Sequence, residues 1–289
     1  MSTISEYIAL TKPRLLPLVL FSGLPALVMA QGRWPSFKLA AWTLFGTALA
    51  AGAASALNSY LERDRDARME RTRMRPLPAG KLDPRGALLF GLALSVAGTL
   101  VLWAASGPAA ALIALSAILF YVFVYTLWLK PRTSFAVVVG GASGAIAPLI
   151  ADAAVNGHVS AAGWLLFSII FIWQPPHFYA IALYRKDDYA EAHFPMLHDR
   201  IGEDATRMHI ILWILALIPF TLAPVALGML GPAYGLIAGA LGLWFLGQAV
   251  VLRNRRDRAS ARRTFVVSLA YLGGTFTAMI GDLLWRTLA

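Results

Sequence analysis

Three oxygen-bearing side chains recur at steps of four residues where an apolar segment ends. They are Asn58, Glu62 and Asp66, and in a helix that continues past residue 57 they form one gently drifting stripe about 12 Å long. Asp64 points away from this stripe. Mg²⁺ is held in proteins by one or two carboxylates together with waters and the phosphate oxygens of a substrate. The spacing therefore predicts a magnesium site at the mouth of the helix.

A second acidic group follows a later apolar segment and contains Asp187, Asp188 and Glu191. Cationic side chains that can grip phosphate oxygens accompany both groups; they are Arg63, Arg71, Arg73, Arg75, Lys130 and Arg132. Magnesium and arginine together stabilise the charge that develops on a departing diphosphate. The set predicts ionisation of a lipid-like allylic diphosphate. The charges alone leave one alternative open, a solvated juxtamembrane face with i,i+4 ion pairs.

Nine apolar segments supply the framework that must position these groups. The chain of 289 residues is 58% hydrophobic and 14% charged, which is too apolar for a soluble domain of this length. Runs of roughly 20 residues, long enough to cross the hydrocarbon core, lie at 15–32, 40–60, 86–105, 109–128, 135–153, 163–183, 208–229, 232–252 and 264–284. We expect an all-α membrane protein with one domain over residues 1–289 and nine transmembrane helices around a central cavity. Because each acidic group follows the second helix of a four-helix set, we expect a duplicated unit with the ninth helix at the periphery.

Lysine and arginine are distributed unevenly between the two sides of the membrane. With a cytoplasmic N-terminus, all but three of the 25 fall on the cytoplasmic side, the exceptions being Arg33, Lys38 and Arg286. Since cationic loops stay cytoplasmic, we predict an integral protein of the bacterial inner membrane, with a periplasmic C-terminus and its active site on the cytoplasmic side. This bias and the anionic lipid headgroups account for the net charge of +10, and no nucleic-acid-binding motif accompanies it. The absence of cysteine excludes disulfides, thiolate metal sites and CxxCH heme attachment.

Prolines, glycines and aromatic residues mark the interior of the bundle. Pro175 and Pro176 are expected to break the sixth segment against protein or a water-filled cavity, which would place His177 beside an opening. The glycines of GGASGA, from residue 140, predict a close helix contact. Aromatic faces that shield an allylic cation, or simply pack, are expected from Phe120, Tyr121, Phe123, Tyr125, Phe167, Phe171, Trp173, Phe178 and Tyr179.

Five segments give the chain a family resemblance. They are LTKPR at 10–14, NSYLERDRDARMERTRMRPL from 58, YTLWLKPRT from 125 with the GGASGA that follows, WQPPHFYAIAL from 173 and DDYAEAHFPML from 187. Asn58, Glu62 and Asp66 resemble the NxxxDxxxD motif of the UbiA superfamily of intramembrane prenyltransferases. The other segments resemble the branch of that superfamily that farnesylates heme, and WQPPHF is much more specific than the acidic motif. Three positions depart from the pattern: Glu62 replaces an aspartate, Ala136 an asparagine and His198 a proline.

The resemblance implies a reaction, a metal and a set of ligands. The reaction is Mg²⁺-dependent transfer of the farnesyl group of farnesyl diphosphate to a vinyl group of heme b, with addition of water, to give heme O and diphosphate. Asn58, Glu62 and Asp66 are implied to hold one Mg²⁺, and Asp187 or Asp188 a second. The implied diphosphate ligands are Arg63, Arg71, Arg75, Lys130 and Arg132, and the candidates for heme contact are Trp173, His177, Tyr189 and His193.

Other interpretations stay open at this point. His177 is either a ligand of heme iron or a histidine hydrogen-bonded to a carbonyl freed by the prolines. A UbiA relative that prenylates a quinone precursor or chlorophyllide would carry the same acidic motif. A secondary transporter would hold its carboxylates near mid-bilayer, whereas these cluster at one interface. A non-catalytic heme chaperone would tolerate loss of Asp66. Besides membrane lipid, the expected partners include a heme A synthase or a terminal oxidase.

Overall fold

The computed structural model describes residues 4–14, 16–70, 72–191 and 195–288, and every regular element in these ranges is a helix. The helices are α1 (Ile4–Leu10), α2 (Leu16–Gln31), α3 (Phe37–Leu61), α4 (Arg63–Asp66), α5 (Pro84–Ser106), α6 (Pro108–Leu119, continued by a π-helix over Phe120–Leu129), α7 (Ala136–Gly144), α8 (Ala147–Asn156), α9 (Ala161–Tyr184), α10 (Lys186–Glu191), α11 (Leu197–Ala226), α12 (Pro232–Arg255) and α13 (Arg258–Leu288).

The nine predicted segments all coincide with helices of the described chain. Eight helical stretches are long and apolar enough to cross a membrane, with α7 and α8 together forming one of them, and α2 is a shorter apolar helix of 16 residues. Large apolar side chains remain exposed around the outside of the bundle, which suits contact with lipid and not with water; they include Phe37, Leu89, Trp103, Leu236, Leu243 and Trp285. The chain is an integral membrane protein.

Local sequence signals set the helix ends. The Ser36 hydroxyl accepts a hydrogen bond from the Leu39 amide at 3.2 Å and caps the start of α3. Asp83 does the same for α5 through the Gly86 amide at 3.1 Å, with Pro84 following as the first helical residue. Both arrangements satisfy amides that have no partner inside the helix. These two caps set the first residues of α3 and α5, the helices before and after the segment that contains Glu62 and Asp66.

Two apolar clusters divide the bundle. One joins α3, α5, α6 and α8, and the other joins α2, α9, α11, α12 and α13. The expectation of a peripheral ninth helix was wrong: α13 packs against α9, α12 and α2, and its Tyr271, Phe276 and Met279 are fully buried. Burial of these large side chains makes α13 a wall of the core, because apolar helix faces pack where they find complementary surface.

The double proline does not interrupt α9, contrary to the sequence expectation. The helix runs without a break from Ala161 to Tyr184 with Pro175 and Pro176 inside it, and both prolines are buried. Proline removes amide donors, and a membrane helix tolerates the loss where neighbouring helices pack closely. His177 is therefore half-buried in a continuous helix and does not lie at a helix break.

The glycines of GGASGA form the predicted close contact. A Cβ atom at Gly140 would lie 2.1 Å from the Tyr125 ring, and one at Gly144 would lie 2.8 Å from the Gln174 amide oxygen. Gln174 donates a 2.6 Å hydrogen bond to the Gly141 carbonyl, which ties α9 to α7. The approach of Tyr125 matters for function, since this residue lies in the π-helical end of α6 that leads to Lys130.

Candidate active site

The oxygen stripe forms at the C-terminal end of α3. The Glu62 amide donates to the Asn58 carbonyl at 2.9 Å, and the Asp66 amide donates to the Glu62 carbonyl at 2.8 Å, so helical spacing continues into α4. Asn58 is 2% exposed and both carboxylates are 6% exposed, whereas the Asp64 side chain is 84% exposed. The stripe is thus a buried row of oxygens, as its spacing predicted, and Asp64 lies outside it.

Each member of the stripe is paired with a cation from a different part of the chain. The Lys12 ammonium donates to the Asn58 amide oxygen at 3.1 Å. The Lys130 ammonium lies 2.6 and 2.7 Å from the two Glu62 oxygens, and the Arg75 guanidinium donates to Asp66 at 2.8 Å. Buried charges are stable only when paired in this way. The arrangement concentrates positive charge where a polyanion would meet the stripe.

Lys12 is a site residue that the sequence reasoning missed, because it was used only to orient the chain. Its backbone φ is 52°, a left-handed conformation that costs a residue other than glycine roughly 1–2 kcal/mol. Removal of its ammonium from water, aided by the nearby Arg75 and Lys130, lowers the pKa of Lys12 to about 8. The sequence signal for this role was the position of Lys12 in the segment LTKPR, between two helices.

The π-helix places Lys130 against the stripe. Its wider turn is closed by bonds five residues apart, such as the 2.9 Å bond from the Lys130 amide to the Tyr125 carbonyl. The Thr126 hydroxyl donates to the Tyr121 carbonyl at 2.8 Å and accepts from the Asn58 side-chain amide at 3.2 Å. Asn58 is therefore held by Lys12 on its oxygen and by Thr126 through its nitrogen, which fixes the orientation of the amide.

The second acidic group lies on α10, which packs against the loop after the stripe. Met69 of that loop forms a buried cluster with Ala182 and Met196, and Tyr189 of α10 packs on the same cluster. Asp188 pairs with Arg185 at 3.5 Å, while the exposed Asp187 lies 3.8 Å from Arg258. In the described ranges, no group of three acidic or histidine side chains is arranged to hold a metal ion.

The predicted basic residues separate into two sets. Arg75 and Lys130 reach the stripe. The Arg63 guanidinium instead donates to the Tyr60 carbonyl at 2.9 Å and stacks on the Tyr60 ring. Arg132 donates to the carbonyls of residues 127 and 128 at the end of the π-helix, so neither Arg63 nor Arg132 is brought to the stripe. Arg71 lies outside the described residues.

The heme candidates lie on α9 and α10. The Trp173 indole donates to the Ser268 carbonyl at 2.8 Å, and its ring stacks on His177 at 4.4 Å. His177 Nδ1 shares a 2.7 Å hydrogen bond with the Ser268 hydroxyl, and Phe265 packs on the imidazole at 4.8 Å. Tyr189 lies apart from these residues, beside Met69, and His193 lies outside the described residues. Only Trp173 and His177 are brought together.

An apolar cavity of about 160 Å³ lies in the bundle beside the stripe, between α2, α3, α6 and α8. Its wall from α3 extends from Ser55, one turn before Asn58, down to Thr47, a depth of about 12 Å at the rise of an α-helix. Tyr121 lines it near the stripe, and Ile150 lines it near the far end. Its lining is predominantly apolar, which suits contact with an apolar tail.

Sequence comparison places this geometry in a known family. The profile of the UbiA prenyltransferase family matches residues 19–273. The chain belongs to the UbiA prenyltransferase family. The protoheme IX farnesyltransferase of Bradyrhizobium diazoefficiens is 43% identical over 99% of this chain and 92% of its own length. That of Gloeobacter violaceus is 44% identical over 96% of this chain and 92% of its own.

Two solved structures share the fold of this chain. A digeranylgeranylglyceryl phosphate synthase aligns with a TM-score of 0.81 at 14% identity, covering 97% of this chain and 98% of its own. A UbiA homolog from Archaeoglobus fulgidus bound to GPP and Mg²⁺ aligns with a TM-score of 0.65 at 16% identity, covering 95% and 99%. These likenesses establish the fold alone, and they confirm the predicted all-α UbiA-type bundle.

Proposed function

We propose that this UbiA-family chain transfers the farnesyl group of farnesyl diphosphate to a vinyl group of heme b and forms heme O. The observation that carries the proposal is the buried oxygen stripe paired with Lys12, Lys130 and Arg75, with an apolar cavity that begins at Ser55, about one turn before Asn58 on α3. The apolar cavity would receive part of a prenyl tail, and the cations would bind its diphosphate. The choice of heme b as acceptor rests on the relatives, which carry the name protoheme IX farnesyltransferase at 43–44% identity.

The stripe fits Mg²⁺. Asn58 offers an amide oxygen, and Glu62 and Asp66 offer carboxylate oxygens; all three residues are buried, and oxygen ligands of this kind are those that Mg²⁺ takes in proteins. Asn58, Glu62 and Asp66 would hold one ion and Asp187 or Asp188 a second, with diphosphate oxygens completing each shell as this ion prefers. When bound, Mg²⁺ neutralises the charge that develops on the leaving diphosphate. Glu62, at the middle position of the stripe, extends its carboxylate one methylene further than an aspartate would.

The paired cations are placed to take over the diphosphate. Lys12, Arg75 and Lys130 each lie within about 3.1 Å of a stripe oxygen, and each has a flexible side chain that can turn to a phosphate oxygen. Arginine presents two donors to such an oxygen pair. The three residues would bind and orient the diphosphate, so that the bond between its oxygen and the farnesyl carbon points into the dry cavity.

Bond changes in the transfer balance without a further reactant. The farnesyl carbon loses diphosphate, which departs with the bonding electron pair, and the terminal carbon of the heme vinyl group then bonds to the farnesyl carbon. Water adds to the neighbouring vinyl carbon and releases one proton. Tyr121 lines the cavity near the stripe, where its ring face stabilises a developing cation. The apolar walls exclude water from the cation until it meets the vinyl group.

His177 is the proposed contact for heme iron. Its Nδ1 is held by the Ser268 hydroxyl, which itself donates to the Phe265 carbonyl at 2.6 Å. Such a partner on one nitrogen orients an imidazole so that the other nitrogen can face a metal. No described residue hydrogen-bonds Nε2. Trp173, stacked on the ring, keeps it in this plane.

The predicted orientation belongs to the same proposal. The stripe and α10 both follow helices that end on the side carrying most of the lysine and arginine residues. By the positive-inside tendency this side faces the cytoplasm, with the C-terminus on the opposite side of the bacterial inner membrane.

The proposal is tested by comparing two carboxylates of one short segment. Asp66→Asn should abolish heme O formation in membranes expressing the chain, whereas Asp64→Asn, at a neighbouring exposed position, should leave it intact. Extracted hemes are separated on a reversed-phase column, where the farnesylated product is retained longer. Near-normal heme O with Asp66→Asn would exclude the metal role. Turnover of 4-hydroxybenzoate without turnover of heme b would favour the quinone-precursor function instead.

A further inference from the structure

Two arginines share one tyrosine ring at the end of α9. The Arg185 guanidinium lies 4.9 Å and the Arg258 guanidinium 5.4 Å from the centre of the Tyr184 ring. Their carboxylate partners are Asp188 at 3.5 Å and Asp187 at 3.8 Å, both at the long end of ion-pair distances. One of these two carboxylates is proposed for the second Mg²⁺, so metal binding there would release the arginine that is paired with it. Both guanidiniums contact the same uncharged ring, which does not neutralise them.

The two arginines lie along the same contact between α9 and α13 as His177. Tyr184 follows His177 by seven residues on α9, and Arg258 precedes Phe265 by seven residues on α13, where Phe265 packs on the His177 ring. Seven residues are two helical turns, about 10 Å along the axis. The arginine pair therefore lies about 10 Å from the imidazole, toward the end of the bundle that carries the acidic groups.

A cavity of about 130 Å³ opens beside Tyr184 and Arg258. Arg207 lines it too, together with the carboxylates of Asp187, Glu203 and Asp257. Arg207 is buried, and its Nε has no hydrogen-bond partner, although its other nitrogens bind Glu203 and Asp204. A buried donor without a partner is costly and indicates that a further acceptor belongs in this cavity.

We propose that Arg185 and Arg258, stacked on Tyr184, form the binding site for the propionate carboxylates of the porphyrin substrate. This proposal rests on the proposed function. A porphyrin carries its two carboxylates on adjacent pyrrole rings, at a distance from its iron that matches the two-turn offset between His177 and the arginines. With iron at His177 and carboxylates at the arginines, the macrocycle lies along the seam of α9 and α13. Its vinyl groups, on the opposite half, then face the interior of the bundle.

The test compares hemin with its dimethyl ester, in which both carboxylates are uncharged. Each is titrated by its Soret shift into the full-length protein in nanodiscs of zwitterionic lipid, with empty nanodiscs subtracted. The wild type should prefer the free acid by about tenfold, as expected for partly exposed arginine–carboxylate pairs. The variant R185Q/R258Q should bind both forms with similar affinity. The matched control R262Q/R263Q, with two exposed arginines of the same helix, should keep the wild-type preference.

Several outcomes would overturn the proposal. Equal affinity of the wild type for the two forms would do so, as would a preference that survives in R185Q/R258Q. An anionic lipid headgroup offers similar chemistry, so the titrations are repeated with phosphatidylglycerol added. If the arginine variants lose only retention of this lipid and keep the free-acid preference, the site belongs to lipid. Heme O formation without free-acid preference would refute this inference alone, whereas intact preference without heme O would refute the proposed function.

Discussion

Replacing Gly140 by alanine should lower heme O formation, because the added methyl group displaces Tyr125 and, with it, Lys130. The added Cβ would lie 2.1 Å from Tyr125 Cδ2 and 2.4 Å from Cε2, distances that real Cβ contacts do not show. Either the ring or α7 must move, and overpacking of this kind costs about 1–3 kcal/mol. The Tyr125 ring lies 5.6 Å from the Lys130 ammonium, and its carbonyl accepts the Lys130 amide. Displacement of Tyr125 therefore displaces the cation that holds Glu62.

Two measurements follow the Gly140→Ala variant. Thermal unfolding of the purified protein, followed by tryptophan fluorescence, should shift down by about 2–4 °C per kcal/mol for a chain of this size. Heme O formation should fall by at least about tenfold, the effect of 1.4 kcal/mol on a barrier. Gly273→Ala is the control, because nothing lies within 4 Å of its new Cβ. An unchanged midpoint together with normal heme O formation would refute the close packing of α7 on the π-helix.

Three further predictions concern Lys12 and Asp152. Because the pKa of Lys12 is lowered to about 8, kcat/KM for farnesyl diphosphate should fall as pH rises through this value, and Lys12→Arg, which stays charged, should remove the fall. Burial of the charged lysine destabilises the folded state fully below about pH 8, and this destabilisation disappears as pH rises toward 10.5, the ordinary pKa of lysine. Lys12→Met should therefore be no less stable than the wild type at pH 7. A marked loss of stability of this variant at pH 7 would contradict the lowered pKa of Lys12. Asp152, fully buried at the far end of the bundle, accepts hydrogen bonds from the Ser160 amide, the Ser160 hydroxyl and Asn156. Asp152→Ala should lower the free energy of unfolding by about 1–3 kcal/mol, while heme O formed per folded molecule stays normal; a selective loss of activity would contradict a purely structural role.

The sequence allowed most of the helices and the oxygen stripe to be predicted, because both depend on short-range periodicity. The length of an apolar run indicates the length of the membrane helix that it forms. A helix that continues past Leu57 brings positions 58, 62 and 66 onto one face regardless of its neighbours. The family resemblance then supplied the reaction. These features need no knowledge of which helices are neighbours.

The parts that were missed depend on contacts between distant residues. The π-helix requires Gly140 of the next helix to admit the Tyr125 ring, and nothing within the segment 120–129 signals it. The left-handed conformation of Lys12 likewise serves a contact with Asn58, 46 residues away. The expected break at Pro175 failed because a proline takes away a donor but does not decide whether packing around the helix compensates.

Charge balance links the pairing seen in the structure to the order in which ligands bind. Lys12, Lys130 and Arg75 face two carboxylates, Glu62 and Asp66, so the stripe and its cations carry one net positive charge when the lysines are protonated. A divalent cation entering alone would raise this to three positive charges in a poorly hydrated site, which is strongly unfavourable. A prenyl diphosphate brings about three negative charges, and together with one Mg²⁺ it adds about one negative charge to the site. Within the proposed function, the charge of the stripe and its cations therefore matches the Mg²⁺–diphosphate complex better than it matches either component alone.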